Sequence, residues 1–112
     1  MSTTAQQASA PRPPGRGETL DVVVARAGDL RRALAPLGAR SISVFGSVAR
    51  RSERPDSDVD LLVDLEADVG LFALLRMQGI AQEILGMSVD LVPRADVKAD
   101  IAKSIAKDEI RL

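Results

Sequence analysis

One spacing constrains this 112-residue chain more than any other: Gly46-Ser47, ten residues, then Asp58-Val59-Asp60. The residues before the glycine, Ser41-Ile42-Ser43-Val44-Phe45, alternate and are rich in strand formers, so they read as a strand. A second strand starts at Asp58, with Val59, Leu61 and Val63 on one face and Asp58, Asp60, Leu62 and Asp64 on the other. Residues two apart on a strand share a face at about 6.5–7 Å. Asp58 and Asp60 can therefore converge on a divalent cation, and magnesium favours hard oxygen ligands shared between carboxylates and phosphates. Gly46 lets the backbone approach an anion closely. Ser47 offers a hydroxyl and a backbone N–H at the start of a short helix, where anions are favoured. Arg50, about one helical turn on, adds positive charge for a phosphate chain. Arg51 and Arg54 are weaker candidates for the same task.

The rest of the chain supplies a frame for this segment. Leu20, Val23, Val24, Ala27, Leu30, Leu34 and Leu37 are spaced for one helix over 19–37, stopped by Gly38. A short helix over 48–52 and a loop over 53–57, with Pro55, join the first two strands. A second long helix spans 70–86, with Leu71, Leu74, Leu75, Ala81, Ile84 and Leu85 as its core side and Gly86 as its stop. Ser88-Val89-Asp90-Leu91-Val92 is a third strand, ended by Pro93. A last helix runs from Val97 to about Lys107, held by Val97, Ile101 and Ile105, and 110–112 adds a short edge strand. The order of elements predicts an α/β (α+β) layer: a small three- to four-stranded mixed sheet with helices packed on it.

Composition narrows the function classes. Residues 1–17 are rich in Ser, Thr, Gln, Pro, Arg and Gly and carry almost no large apolar side chain. They are expected to form a disordered tail, not a signal peptide, and 18–112 to form one domain. No apolar run is long enough to cross a bilayer, and the chain has no cysteine for a disulfide or a thiolate metal site. A cytoplasmic protein without membrane association is the expectation. The net charge is −1 and the only aromatics are Phe45 and Phe72. Neither a broad nucleic-acid footprint nor a base-stacking platform follows from that, so direct nucleic-acid binding is not expected. Without histidine, a general base must be a carboxylate, a lysine or water.

The segment Phe45-Gly46-Ser47-Val48-Ala49-Arg50, followed by Asp56-Ser57-Asp58-Val59-Asp60-Leu61-Leu62-Val63, resembles the signature of the DNA polymerase β-like nucleotidyltransferase superfamily. Within it, the chain looks most like the minimal nucleotidyltransferases, many of which are antitoxins of toxin–antitoxin pairs. The resemblance implies the nucleotidyltransferase fold and attack of an acceptor hydroxyl on the α-phosphate of a nucleoside triphosphate, with pyrophosphate leaving. It implies ATP as donor, held at its β- and γ-phosphates by Gly46 and Ser47. It also implies magnesium, as two ions flanking the attacking and leaving oxygens, bound by Asp58, Asp60 and a third carboxylate. On the residues alone, Asp90 is a charge in an otherwise apolar strand, costly unless something pairs with it. The superfamily's third carboxylate occupies such a strand, which gives Asp90 both metal binding and acceptance of the hydroxyl proton. Whether the two strands are neighbours is not contained in the sequence.

Larger members of the superfamily carry further domains that hold the acceptor. This chain has almost nothing beyond the core, so the acceptor is expected on a separate polypeptide. Antitoxin-type relatives pair with a helical HEPN-domain toxin, an RNase, and transfer AMP to one of its tyrosines. By resemblance the partner is a HEPN toxin and the assembly a hetero-oligomer. Two other readings stay open: a non-catalytic neutralising module of the same fold, and a small-molecule nucleotidyltransferase of the aminoglycoside type. A calcium-binding EF-hand loop at Asp56, Asp58 and Asp60 is excluded, because Leu61 and Ala67 stand where its glycine and final glutamate belong. The remaining charges read as solvated: Asp64, Glu66 and Asp68 at a strand end, Arg26, Arg31 and Arg32 on the first helix, Lys98, Lys103 and Lys107 on the last. Met77 and Met87 read as packing or interface residues.

Overall fold

The computed structural model describes residues 17–112, so the expected tail over 1–17 lies outside the described residues save for Gly17. Four strands, β1 (Ala39–Phe45), β2 (Val59–Leu65), β3 (Val89–Pro93) and β4 (Ile110–Arg111), form one sheet in the order β3-β2-β1-β4. β1 runs antiparallel to β2 and to β4, while β2 and β3 are parallel. The sheet is mixed, as the element order predicts, and the short edge strand at the C-terminal end is present.

The two faces differ. Ile42 and Val44 of β1 pair with Val63 and Leu61 of β2. With Val59, Val89 and Leu91 they pack into one apolar cluster with Leu20, Val23, Leu30, Leu34, Met77, Ala81 and Leu85. These come from α1 (Thr19–Ala25), α2 (Ala27–Leu34) and α4 (Leu71–Leu85). Burying each such side chain contributes on the order of 1.5–3 kcal/mol, and this face carries most of the core. The opposite face holds Ser43, Asp60, Leu62, Asp64 and Asp90. It is partly covered by α5 (Ala99–Asp108), whose Ile105 is buried outside the main cluster, as is Leu62.

Three expectations need correction. The helix over 19–37 is two helices, α1 and α2, broken at Arg26, followed by a 3-10 turn over Ala35–Leu37. Ala35 keeps helical angles, φ −56° and ψ −44°, but Pro36 has no N–H to donate back into the ladder, so α2 stops at Leu34 and the chain tightens. Gly38, at φ 110°, completes the turn. The break at Arg26 leaves the apolar spacing intact, which is why periodicity does not reveal it. Secondly, Leu71 and Leu75 are exposed rather than core, and Phe72 beside them is 88% exposed; the buried residues of α4 are Met77, Ala81 and Leu85. Thirdly, Val24 and Ile101 face solvent, so Ile105 alone anchors α5 through a buried apolar side chain.

Candidate active site

The turn after β1 brings the phosphate-binding candidates to the open face. The short helix α3 (Gly46–Ala49) starts at Gly46 and ends before Arg50, not over 48–52. At four residues its macrodipole is small, so its contribution to anion binding rests on the free N–H groups of its first turn. Gly46 has φ 74°, the left-handed region. It also abuts Asp60: a Cβ at position 46 would lie 2.5 Å from Asp60 Oδ2. The turn thus favours glycine, and any side chain here would also have to displace the end of the Asp60 carboxylate. The Ser47 carbonyl accepts the Ser52 N–H at 2.9 Å, which closes the turn.

Register supplies what the sequence leaves open. Asp60 pairs with Phe45 on the β1 side and with Asp90 on the β3 side. Residues paired across a sheet share a face, so Asp60 and Asp90 stand side by side. Asp58, just before β2, shares their face two residues upstream. Asp60 is half-buried, while Asp58 and Asp90 are exposed. The Asp60 carboxyl is pushed above the usual carboxylate value, first by burial, then by repulsion from Asp90 and Asp58, against an opposing pull from Arg50. The three acids and Arg50 therefore share one electrostatic environment.

The donor set suits a hard cation. Among the described residues no three acidic side chains form a ready-made cage. Magnesium usually binds through one or two carboxylates plus substrate phosphates, so a carboxylate pair beside a phosphate-binding turn is the fitting arrangement. The cation would relieve the repulsion on Asp60.

The basic candidates separate. Arg50 donates to Asp108 of α5 at 3.0 Å and remains half-exposed beside the acids. Arg51 is turned away: it donates to the Gly17 carbonyl at 2.6 Å and to Asp21 at 2.8 Å. Its role is to hold α1 to the turn, not to meet phosphate. Arg54 lies exposed in the following loop. Asp64 is half-buried further along β2 and lines a cleft of about 410 Å³ with Leu65, Leu71, Leu74 and Pro93. That cleft lies away from Asp58, Asp60 and Asp90, which occupy the open face.

One residue escapes sequence reasoning. Glu53, in the segment read as loop, is buried at 4% exposure. Its Oε2 accepts the backbone N–H of Gly17 at 2.8 Å and of Thr19 at 3.3 Å. Burial pushes its carboxyl up, but hydrogen bonds from its own backbone, Thr19 and Gly17 hold it below the usual value. It ties the start of α1 to the loop behind the site. No local pattern marks it, because its donors lie 34 and 36 residues away.

Known proteins share this fold. The nucleotidyltransferase domain family matches residues 29–112. A protein adenylyltransferase, MntA, from Thermococcus cleftensis is 38% identical over 73 residues, covering 65% of this chain and 74% of that protein. A solved structure assigned as a minimal nucleotidyltransferase superposes with a TM-score of 0.75 at 33% identity, covering 83% of this chain and 95% of that one. A chain from the Shewanella oneidensis complex of a tri-AMPylated HEPN toxin with its MNT antitoxin has the same fold. Its TM-score is 0.60 at 17% identity, over 82% of this chain and 70% of that one. The chain belongs to the nucleotidyltransferase domain family, as a minimal nucleotidyltransferase related to the MntA-type protein adenylyltransferases.

Proposed function

We propose that residues 18–112 form a magnesium-dependent adenylyltransferase domain that moves AMP from ATP to a tyrosine hydroxyl of a HEPN-domain toxin, and so act as its antitoxin. The observation that carries this reading is the meeting of Gly46, Asp60 and Asp90: the turn presses on one carboxylate while the sheet register sets the other beside it. Relatedness to MntA-type proteins supports the protein acceptor, and the AMPylated HEPN toxin of the Shewanella complex supports its class.

The roles are assigned from position together with the superfamily resemblance. Gly46 and Ser47 hold the β- and γ-phosphates through backbone N–H groups and the serine hydroxyl. Arg50, beside the acids, adds charge to the triphosphate. The incoming hydroxyl oxygen bonds to the α-phosphorus, the bond from that phosphorus to the bridging oxygen of the β-phosphate breaks, and pyrophosphate leaves. Asp90 takes the hydroxyl proton. Asp58, Asp60 and Asp90 would hold magnesium together with the phosphates, and it would supply neutralisation of the phosphate charge. The protein's own contribution is positioning.

The test is label transfer from ATP to a HEPN partner. Label at the α-phosphate should appear on the partner and label at the γ-phosphate should not, and an Asp58→Asn/Asp60→Asn protein should transfer neither. This chain has no tyrosine, so tyrosine-linked AMP recovered from the mixture must lie on the partner. Neutralisation of the partner without transfer would replace this reading with a contact antitoxin. Transfer to an aminoglycoside without any partner protein would replace it with a small-molecule enzyme.

A further inference from the structure

β3 is an edge strand, with β2 on one side and, among the described residues, no strand on the other. Alternate N–H groups along a strand point to opposite sides, so an edge normally exposes a row of unpaired donors. On β3 those donors are taken up. The Val89 N–H donates to Gln82 Oε1 at 3.1 Å, and the Leu91 N–H donates to Gln78 Oε1 at 3.1 Å. The next residue in that alternation is Pro93, which has no N–H. Gln78 and Gln82 stand one turn apart on α4, so both amides project from one helix face. Between the two anchored residues lies Asp90, opposite Asp60.

We propose that Gln78 and Gln82 are positioning residues for the nucleotidyl-transfer site, acting through the β3 backbone to hold Asp90 beside Asp60. The inference rests on the reading of Asp58, Asp60 and Asp90 as that site. Asp60 and Asp90 repel each other, and the strand bearing Asp90 is five residues long with a ladder on one side only. Such a strand yields to the repulsion by twisting or drifting outward. Two acceptors on alternate residues fix both its distance from α4 and its rotation about its own axis, and that rotation sets the direction of Asp90. Glutamine suits the task because it accepts these bonds without adding negative charge beside the acids. Met77 and Ala81, each adjacent in sequence to one of the glutamines, are fully buried, so the helix that carries the clamp is itself fixed.

The test is Mn²⁺ binding, followed by the electron paramagnetic resonance of the free ion, with α,β-methylene-ATP as a nucleotide that cannot transfer. Gln78→Met and Gln82→Met remove the acceptor and keep the size; thermal melts confirm that each variant is folded. Each should weaken Mn²⁺ binding about tenfold, as loss of a partner that orients a ligand does. In an Asp90→Asn background, Gln78→Met should add nothing, because the clamp acts through Asp90. Wild-type affinity in folded Met variants, or an equal loss in the Asp90→Asn background, would overturn the proposal and leave the glutamines as edge covers. If Asp58→Asn, Asp60→Asn and Asp90→Asn all bind Mn²⁺ as the wild type does, the site reading itself fails and the proposal with it. Should one of the two glutamine variants not fold, the other decides the question.

Discussion

Glu53 and Asp60 are two shielded carboxylates in one short stretch of chain, and they are perturbed in opposite directions. Glu53 is the less exposed to solvent, yet hydrogen bonds from its own backbone, Thr19 and Gly17 hold its carboxyl below the usual value. Asp60 is only half-buried, yet burial and two neighbouring acids push it above. Burial alone therefore does not decide the outcome; partners do. Glu53 has two backbone donors on Oε2, while its Oε1 is buried without a partner among the described residues. Asp60 faces two carboxylates and one arginine, Arg50, whose pull does not offset them, an arrangement that is unfavourable until a cation and phosphates arrive. Folding stability is given up at Asp60 in the way expected of a functional group.

The largest test of this contrast removes the acids. Asp58→Asn/Asp60→Asn should lower AMP transfer by on the order of a thousandfold, the scale of losing preorganised charge stabilisation, while the protein stays folded. Next is Gly46→Ala, which both strains a φ of 74° and drives a methyl into Asp60 Oδ2. It should destabilise by about 1–3 kcal/mol in chemical denaturation and depress transfer as well. A variant of full stability and activity would show that the turn does not press on the acid.

Smaller effects separate the two carboxylates directly. Glu53→Gln keeps an acceptor but loses the charge, and should destabilise by about 1 kcal/mol at pH 7. Because the folded-state value of Glu53 is lowered, its contribution is present above the ordinary carboxylate value and is lost as pH falls through the folded one. The gap between Glu53→Gln and wild type should therefore close on acidification, as read by melts across pH. Asp60→Asn should do the reverse. A raised folded-state value means the ionised acid destabilises at neutral pH, and this is relieved as pH falls through the raised value. The variant should be more stable than wild type by about 1 kcal/mol at pH 7, with the advantage shrinking in acid. A destabilised Asp60→Asn would break the comparison.

Much of this was readable in the sequence because it is local. The alternation of 41–45, the Gly46-Ser47 turn and the Asp-x-Asp pair each declare themselves within a few residues, and Gly86 and Pro93 punctuate their elements where expected. What stayed hidden is relational. Apolar periodicity marks a stripe on α4 but not how far the stripe is covered, so exposed Leu71 and Leu75 were indistinguishable from buried Leu85. The adjacency of Asp60 and Asp90 depends on a register that nothing local encodes. Arg50 and Arg51 are neighbours of identical chemistry, and only the fold sends one toward the acids and the other to Asp21. Gln78 and Gln82 look like polar interruptions of an apolar helix until β3 is placed beside them.

The most direct test of the central claim is transfer of label from α-labelled ATP to a HEPN partner by Asp60→Asn protein whose melting temperature has first been measured. The account predicts a protein at least as stable as the wild type that transfers no label. Transfer at the wild-type rate by that folded variant would contradict it, and would make the acidic face of this sheet a feature of its surface rather than of its chemistry.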